Sequence, residues 1–235
     1  MSDIIEQRVE LRPPQVSPET LLRVRPARGA PRPVALLLAP GAGSDLDEPV
    51  LSGLARGLSQ RGVAVGTFNF AYRQAGRRPP DRRDRLERAF VDVLDAFAAL
   101  TGARHQVLGG RSLGGRVASL LAAGGTGAGV VALAYPLHPG GRPDPRRTEH
   151  WPRITAPVLF VHGDRDRMCP VGDLDAARAR YLCAAAHRAH VVAGADHGFA
   201  LRTRDPRTAT DVTAELVGAV DAWLCETFEE EDHRD

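Results

Sequence analysis

Gly110-Arg111-Ser112-Leu113-Gly114 reads G-x-S-x-G, and no other stretch limits the possible folds of this chain so tightly. The apolar run Gln106-Val107-Leu108-Gly109 leads into it, and the helix-like segment Gly115–Ala123 leads out. A strand, a sharp turn and a helix form the setting in which a serine Oγ is held out at the top of a parallel sheet. That turn strains the backbone at the serine and crowds the residues two before and two after it, so glycine is expected at both places. Gly110 and Gly114 stand there. The helix that follows Ser112 directs its free N–H groups and the positive end of its dipole at any oxyanion forming beside the serine.

A serine hydroxyl is a poor nucleophile until an imidazole takes its proton, and a carboxylate must hold that imidazole in the right tautomer. With an elbow of this kind the order along the chain is serine, acid, histidine. Downstream, Ala156–Val161 is a continuous apolar run, as expected of a parallel strand buried on both faces, and it ends in His162-Gly163-Asp164-Arg165-Asp166. A second run, Ala189–Ala193, is followed by Gly194-Ala195-Asp196-His197. Ser112, Asp166 and His197 therefore fall in the expected order, each just past a strand, where open parallel sheets gather their ligands. Asp164 is a rival for the acid. Taken singly, Asp166 reads equally as a turn aspartate and His197 as a helix-capping histidine.

Four segments carry a resemblance to a known family: Leu38-Ala39-Pro40-Gly41-Ala42-Gly43-Ser44, Gly109–Arg116, Tyr135-Pro136-Leu137-His138-Pro139 and His162–Asp166. On these the chain resembles the α/β-hydrolase superfamily over about residues 33–225. Within it the chain looks like a dienelactone-hydrolase-like group, which includes a testis-expressed animal protein and a subunit of the NSL chromatin complex. The resemblance implies an α/β-hydrolase fold and a serine esterase or related hydrolase with no cofactor and no metal. It also implies an oxyanion hole from the backbone N–H groups of Leu113 and Ala42. The family usually has His-Gly at the start of the second loop, where this chain has Pro40-Gly41. Proline has no N–H, but the implied donor lies two residues on. Because the chromatin relative is a structural subunit, a non-catalytic scaffold is the alternative function; a haloperoxidase-like or lyase activity is another, since fold and triad do not separate them.

The 235 residues, 43% hydrophobic and 26% charged, suit one soluble domain with a substantial core. No run approaches the ~18 apolar residues of a membrane span, and the polar start lacks the apolar middle of a secretory signal. Cys169, Cys183 and Cys225 are scattered without metal-binding spacing, which points to a reducing cytoplasm. All 31 basic residues are arginine, consistent with a GC-rich bacterial genome; without lysine, Schiff-base chemistry is excluded. Opposed by 29 acids, they create no field to attract nucleic acid. The expected partner is a small ester or acyl substrate, and the expected assembly a monomer or homodimer. Arg73–Arg88 carries seven arginines against Asp81, Asp84 and Glu87. Arg77 and Arg78 there are candidates to hold a substrate carboxylate or phosphate, against the alternative of a solvated loop. The tail from Glu229 to Asp235 is acidic and expected to be disordered.

The remaining pattern alternates strand and helix. Strands are expected near 21–25, 34–39, 63–70, 105–109, 130–135, 158–162 and 188–192, with a further antiparallel edge strand over 6–12. Helices are expected over 48–60, 83–100, 113–123, 174–185 and 210–228. This is the signature of a mostly parallel sheet covered on both faces. Leu137–Arg153 is too short for a full cap domain, so the site should be open. His138 in that loop is a candidate for substrate selection, or a structural residue locked between its prolines.

Overall fold

The computed structural model describes residues 4–142, 144–184 and 186–229; the acidic tail beyond Glu229 lies outside them. Eight strands form one sheet: β1 (Ile5–Glu10), β2 (Glu19–Arg25), β3 (Val34–Ala39), β4 (Ala64–Phe68), β5 (His105–Arg111), β6 (Gly129–Leu133), β7 (Val158–Gly163) and β8 (His187–Val192). Their spatial order is β1-β2-β4-β3-β5-β6-β7-β8. The strands from β3 onward pair in parallel, while β1 and β2 are antiparallel to their neighbours.

Among the described residues six α-helices accompany this sheet: α1 (Pro49–Ser59), α2 (Ala71–Gln74), α3 (Arg83–Thr101), α4 (Leu113–Ala122), α5 (Val171–Tyr181) and α6 (Ala209–Phe228). Strand β3 shows why both faces need covering. All six of its residues are buried, Ala35, Leu37 and Ala39 against the layer of α3, α4 and α5, and Leu36 and Leu38 against α1 and α6. The period-two alternation of a strand thus feeds two separate cores. The α3 stripe of Leu86, Ala89, Phe90, Val93, Leu94 and Phe97 is buried as its spacing predicts. Left-handed Gly102 (φ 59°) ends that helix, and a reciprocal Thr208–Asp211 capping box starts α6.

Several expected elements differ at their ends: β1 stops at Glu10, β2 starts at Glu19 and β6 stops at Leu133. The strand beginning near Val63 ends at Phe68, because the Asn69 side chain turns away to accept the Leu46 N–H at 2.9 Å and the chain enters α2. Helix α5 starts and ends earlier than the alanine-rich 174–185 suggests. Leu182 is extended (φ −89°, ψ 116°), since the chain must run back to lay β8 beside β7. Local helix propensity yields there to sheet pairing. Among the described residues, Leu137–Arg153 forms three single-turn 3-10 helices, Pro139–Gly141, Pro145–Arg147 and Trp151–Arg153, and no cap domain. No helix among the described residues is long and apolar enough to cross a membrane.

Candidate active site

Ser112 is the one residue between β5 and α4, in the strained conformation φ 50°, ψ −108°. Its N–H is spent on Leu133 C=O at 2.8 Å, which ties the turn to β6. A Cβ on Gly110 would lie 2.8 Å from the carbonyl carbon of Gly114, the mutual crowding read from the sequence. The tighter obstacle is a third strand. A Cβ on Gly110 or Gly114 would lie 2.2 or 2.1 Å from the carbonyl oxygen of Ala39, at the end of β3.

The loops after β7 and β8 bring the two other side chains to the serine. His197 Nε2 lies 3.0 Å from Ser112 Oγ, and His197 Nδ1 lies 2.8 Å from Asp166 Oδ2. The carboxylate fixes the imidazole proton on Nδ1 and leaves Nε2 bare, facing the hydroxyl. Asp166 is fully buried as a side chain, whereas His197 is a quarter exposed. The second oxygen of Asp166 accepts the Met168 N–H at 2.8 Å, so the carboxylate cannot rotate away from the imidazole. The rival Asp164 is engaged elsewhere, accepting the Gly194 N–H at 2.7 Å. Arg165 Nη1 donates to Gly194 C=O at 2.8 Å, and together these two bonds lace the β7 loop to the β8 loop. Asp196 closes the turn around His197 by accepting the N–H groups of Gly198 and Ala200 at 2.9 and 3.0 Å.

Leu113 begins α4, so its N–H has no intrahelical acceptor and is free to face an oxyanion. Ala42 is exposed in the loop after β3, where the Ser44 N–H closes a turn on Gly41 C=O at 3.1 Å. Two side chains of this region had no signal in the sequence. Arg111, the residue before Ser112, forms a 3.0 Å ion pair with Glu48, which lies at the start of α1.

Arg77 and Arg78 are exposed, and Arg77 lies 3.7 Å from Asp81, a partner four residues on in its own loop. His138 donates from Nε2 to Asp173 at 2.9 Å in the first turn of α5, and its backbone N–H bonds Met168 C=O at 2.7 Å. It thereby ties the 137–153 segment to the loop that carries Asp166.

Residues 32–225 match a family model described as an alpha/beta hydrolase domain. Among solved structures the chain is similar to an alpha-beta serine hydrolase homologue from Coxiella burnetii, with a TM-score of 0.74 and 19% identity over 95% of this chain and 98% of that one. An α/β serine hydrolase without lid from Xanthomonas campestris gives 0.73 and 18%, over 95% and 96%. Dienelactone hydrolase from Anabaena variabilis gives 0.70 and 18%, over 96% and 98%. At such identities these likenesses speak for the fold.

Proposed function

The chain belongs to the alpha/beta hydrolase family, and from that premise we propose that it is a serine hydrolase cleaving an ester or related acyl bond of a small molecule. The observation that carries this reading is the unbroken hydrogen-bonded line Ser112–His197–Asp166, at 3.0 and 2.8 Å. Ser112 Oγ attacks the acyl carbon as its proton passes to His197 Nε2. The imidazolium is stabilised by Asp166, and the N–H groups of Leu113 and Ala42 receive the negative oxygen. His197 then gives the proton to the departing alcohol, leaving an acyl group on Ser112. Water attacks that ester by the same route, giving its proton to His197, and Ser112 recovers a proton when the acid departs. No step calls for a metal or an organic cofactor. With three free cysteines, one buried and two exposed, the protein suits a reducing cytoplasm.

The scaffold alternative draws on the likeness to the testis-expressed protein and the chromatin subunit. Against it stands the filling of all three triad positions. A panel of p-nitrophenyl esters of graded chain length, together with a fluorophosphonate label, decides between them. Turnover and labelling should both be present in the wild type and absent from Ser112→Ala with its fold intact. Labelling that survives the substitution would remove Ser112 from its role, and a wild type inert to both reagents would favour the scaffold.

A further inference from the structure

The two proposed oxyanion donors sit on different elements. The elbow and α4 fix Leu113, whereas Ala42 belongs to an irregular, partly exposed loop between β3 and α1. Both N–H groups must converge to about 2.7–3.1 Å from a single oxygen. Something must therefore hold the loop at the elbow.

Arg111 and Glu48 span that gap. Arg111 Nε lies 3.0 Å from Glu48 Oε1, with only 16% and 7% of the two side chains exposed. The other Glu48 oxygen accepts the Leu51 N–H at 3.2 Å, capping α1, so the carboxylate is fixed at the far end of the loop. At the near end the guanidinium packs against Gly41. A Cβ there would come within 3.1 Å of Arg111 Nη2 and 3.3 Å of Cζ. One side chain, covalently adjacent to the nucleophile, thus touches the loop just before Ala42 and again at its exit into α1. Burying an ion pair carries a desolvation cost that well-packed apolar residues would avoid, so stability alone is a poor account of this one.

We propose that Arg111 and Glu48 are positioning residues that hold the loop 40–47 against the elbow, so that the Ala42 and Leu113 N–H groups reach the same oxyanion. The proposal rests on the acyl-transfer reading above. It makes the ion pair a determinant of turnover rather than of substrate affinity.

Fluorophosphonate labelling tests it, because phosphonylation draws the phosphoryl oxygen into the same pair of donors. The second-order labelling rate, with kcat and KM for p-nitrophenyl acetate, is measured in the wild type, E48Q, R111K, R111M and the double variant E48Q/R111M. E48Q keeps one acceptor oxygen for the Leu51 N–H and turns the oxygen that faces Arg111 into an uncharged NH2. In E48Q and R111M, kcat and the labelling rate should fall about 10- to 100-fold, with KM changed less than about threefold. R111K should recover part of the loss, and the double variant should be no worse than the poorer single one. Unchanged rates in E48Q, a loss confined to KM, or losses that multiply in the double variant would overturn the proposal. Should R111M fail to fold, E48Q and R111K decide. A wild type not labelled at Ser112 removes the acyl-transfer reading and this proposal with it. A labelled wild type with equally reactive variants removes the positioning role alone.

Discussion

Two serine–histidine hydrogen bonds stand about two turns apart, one at the N-cap of helix α4 and one within it, in opposite surroundings. At its start Ser112 meets His197 at 3.0 Å; farther along, Ser119 meets His150 at 2.8 Å. Behind His197 stands the carboxylate of Asp166. Around His150 stand Arg116, Arg83 and Arg153, and the imidazole is completely buried. The single Ser119 proton goes to Arg116 C=O at 2.8 Å, so His150 donates from Nε2, and its Nδ1 is left bare and without a partner. Burial first, and the three arginines after it, push the His150 pKa down to about 3. A histidine that cannot take a proton cannot serve as a base. A short Ser–His contact is thus insufficient for nucleophilic chemistry; a carboxylate and an opening to solvent set Ser112–His197 apart from the buried staple. The second pair fastens the 137–153 segment to α4, with Tyr135 Oη donating to Arg147 C=O at 2.6 Å and Trp151 Nε1 to Tyr135 Oη at 3.3 Å.

The comparison breaks most visibly at the carboxylate. Asp166→Asn should cost on the order of 10⁴ in turnover, by favouring the wrong His197 tautomer, with little change in stability. Asp164→Asn should cost far less, since Asp164 is turned to the Gly194 N–H and away from His197. Should Asp164→Asn prove the more damaging of the two, the acid has been misassigned.

The staple predicts a stability effect instead. An unfolded histidine titrates near 6.5 and His150 in the fold near 3, so between these values the unfolded chain binds the extra proton. The stability that His150 permits is complete above about pH 6.5 and is lost progressively as pH falls toward 3, on the order of 5 kcal/mol in all. Urea unfolding of wild type and His150→Gln across this window should show a shallower acid decline in the variant; parallel curves would refute the account. At neutral pH, Ser119→Ala should destabilise by about 1–3 kcal/mol, by stranding the buried His150 N–H, and leave ester turnover as it was.

The smallest effect concerns the exposed arginines. Arg77 stands half exposed at 3.7 Å from Asp81, and solvent screening at such an exposed charge leaves it little to offer a substrate. For short esters with and without a carboxylate, Arg77→Ala and Arg78→Ala should each alter the ratio of kcat/KM values by less than about tenfold. A larger shift would make the loop a true anion site.

The parts of this molecule that were legible beforehand are those in which neighbours along the chain determine the outcome. The elbow announced itself because Gly110, Ser112 and Gly114 lie within five residues, and the β3 and α3 patterns needed only periodicity. His197 followed from its order after the elbow. The sequence favours Asp166 over its rival Asp164 by its place four residues after the strand-ending His162, but both follow the same strand, and it is the direction of each side chain that separates them in the fold. Ser119–His150 and Arg111–Glu48 gave no signal, since each joins residues far apart in sequence whose types fit any surface. Sheet order was equally hidden: β2 pairs β4 with β3 passed over, a choice of tertiary packing.

The carbonyl oxygen of Ala39 lies where a side chain on Gly110 or Gly114 would begin. A crowded side chain can be relieved by a smaller one next to it, but a main-chain oxygen in the middle of a sheet cannot be traded for anything. These two glycines therefore lie beyond the reach of compensating substitutions. In a laboratory lineage selected only for folding, exposed loop positions can drift. Gly110 and Gly114 should stay fixed in every surviving descendant, marking the elbow long after the rest of the sequence has diverged.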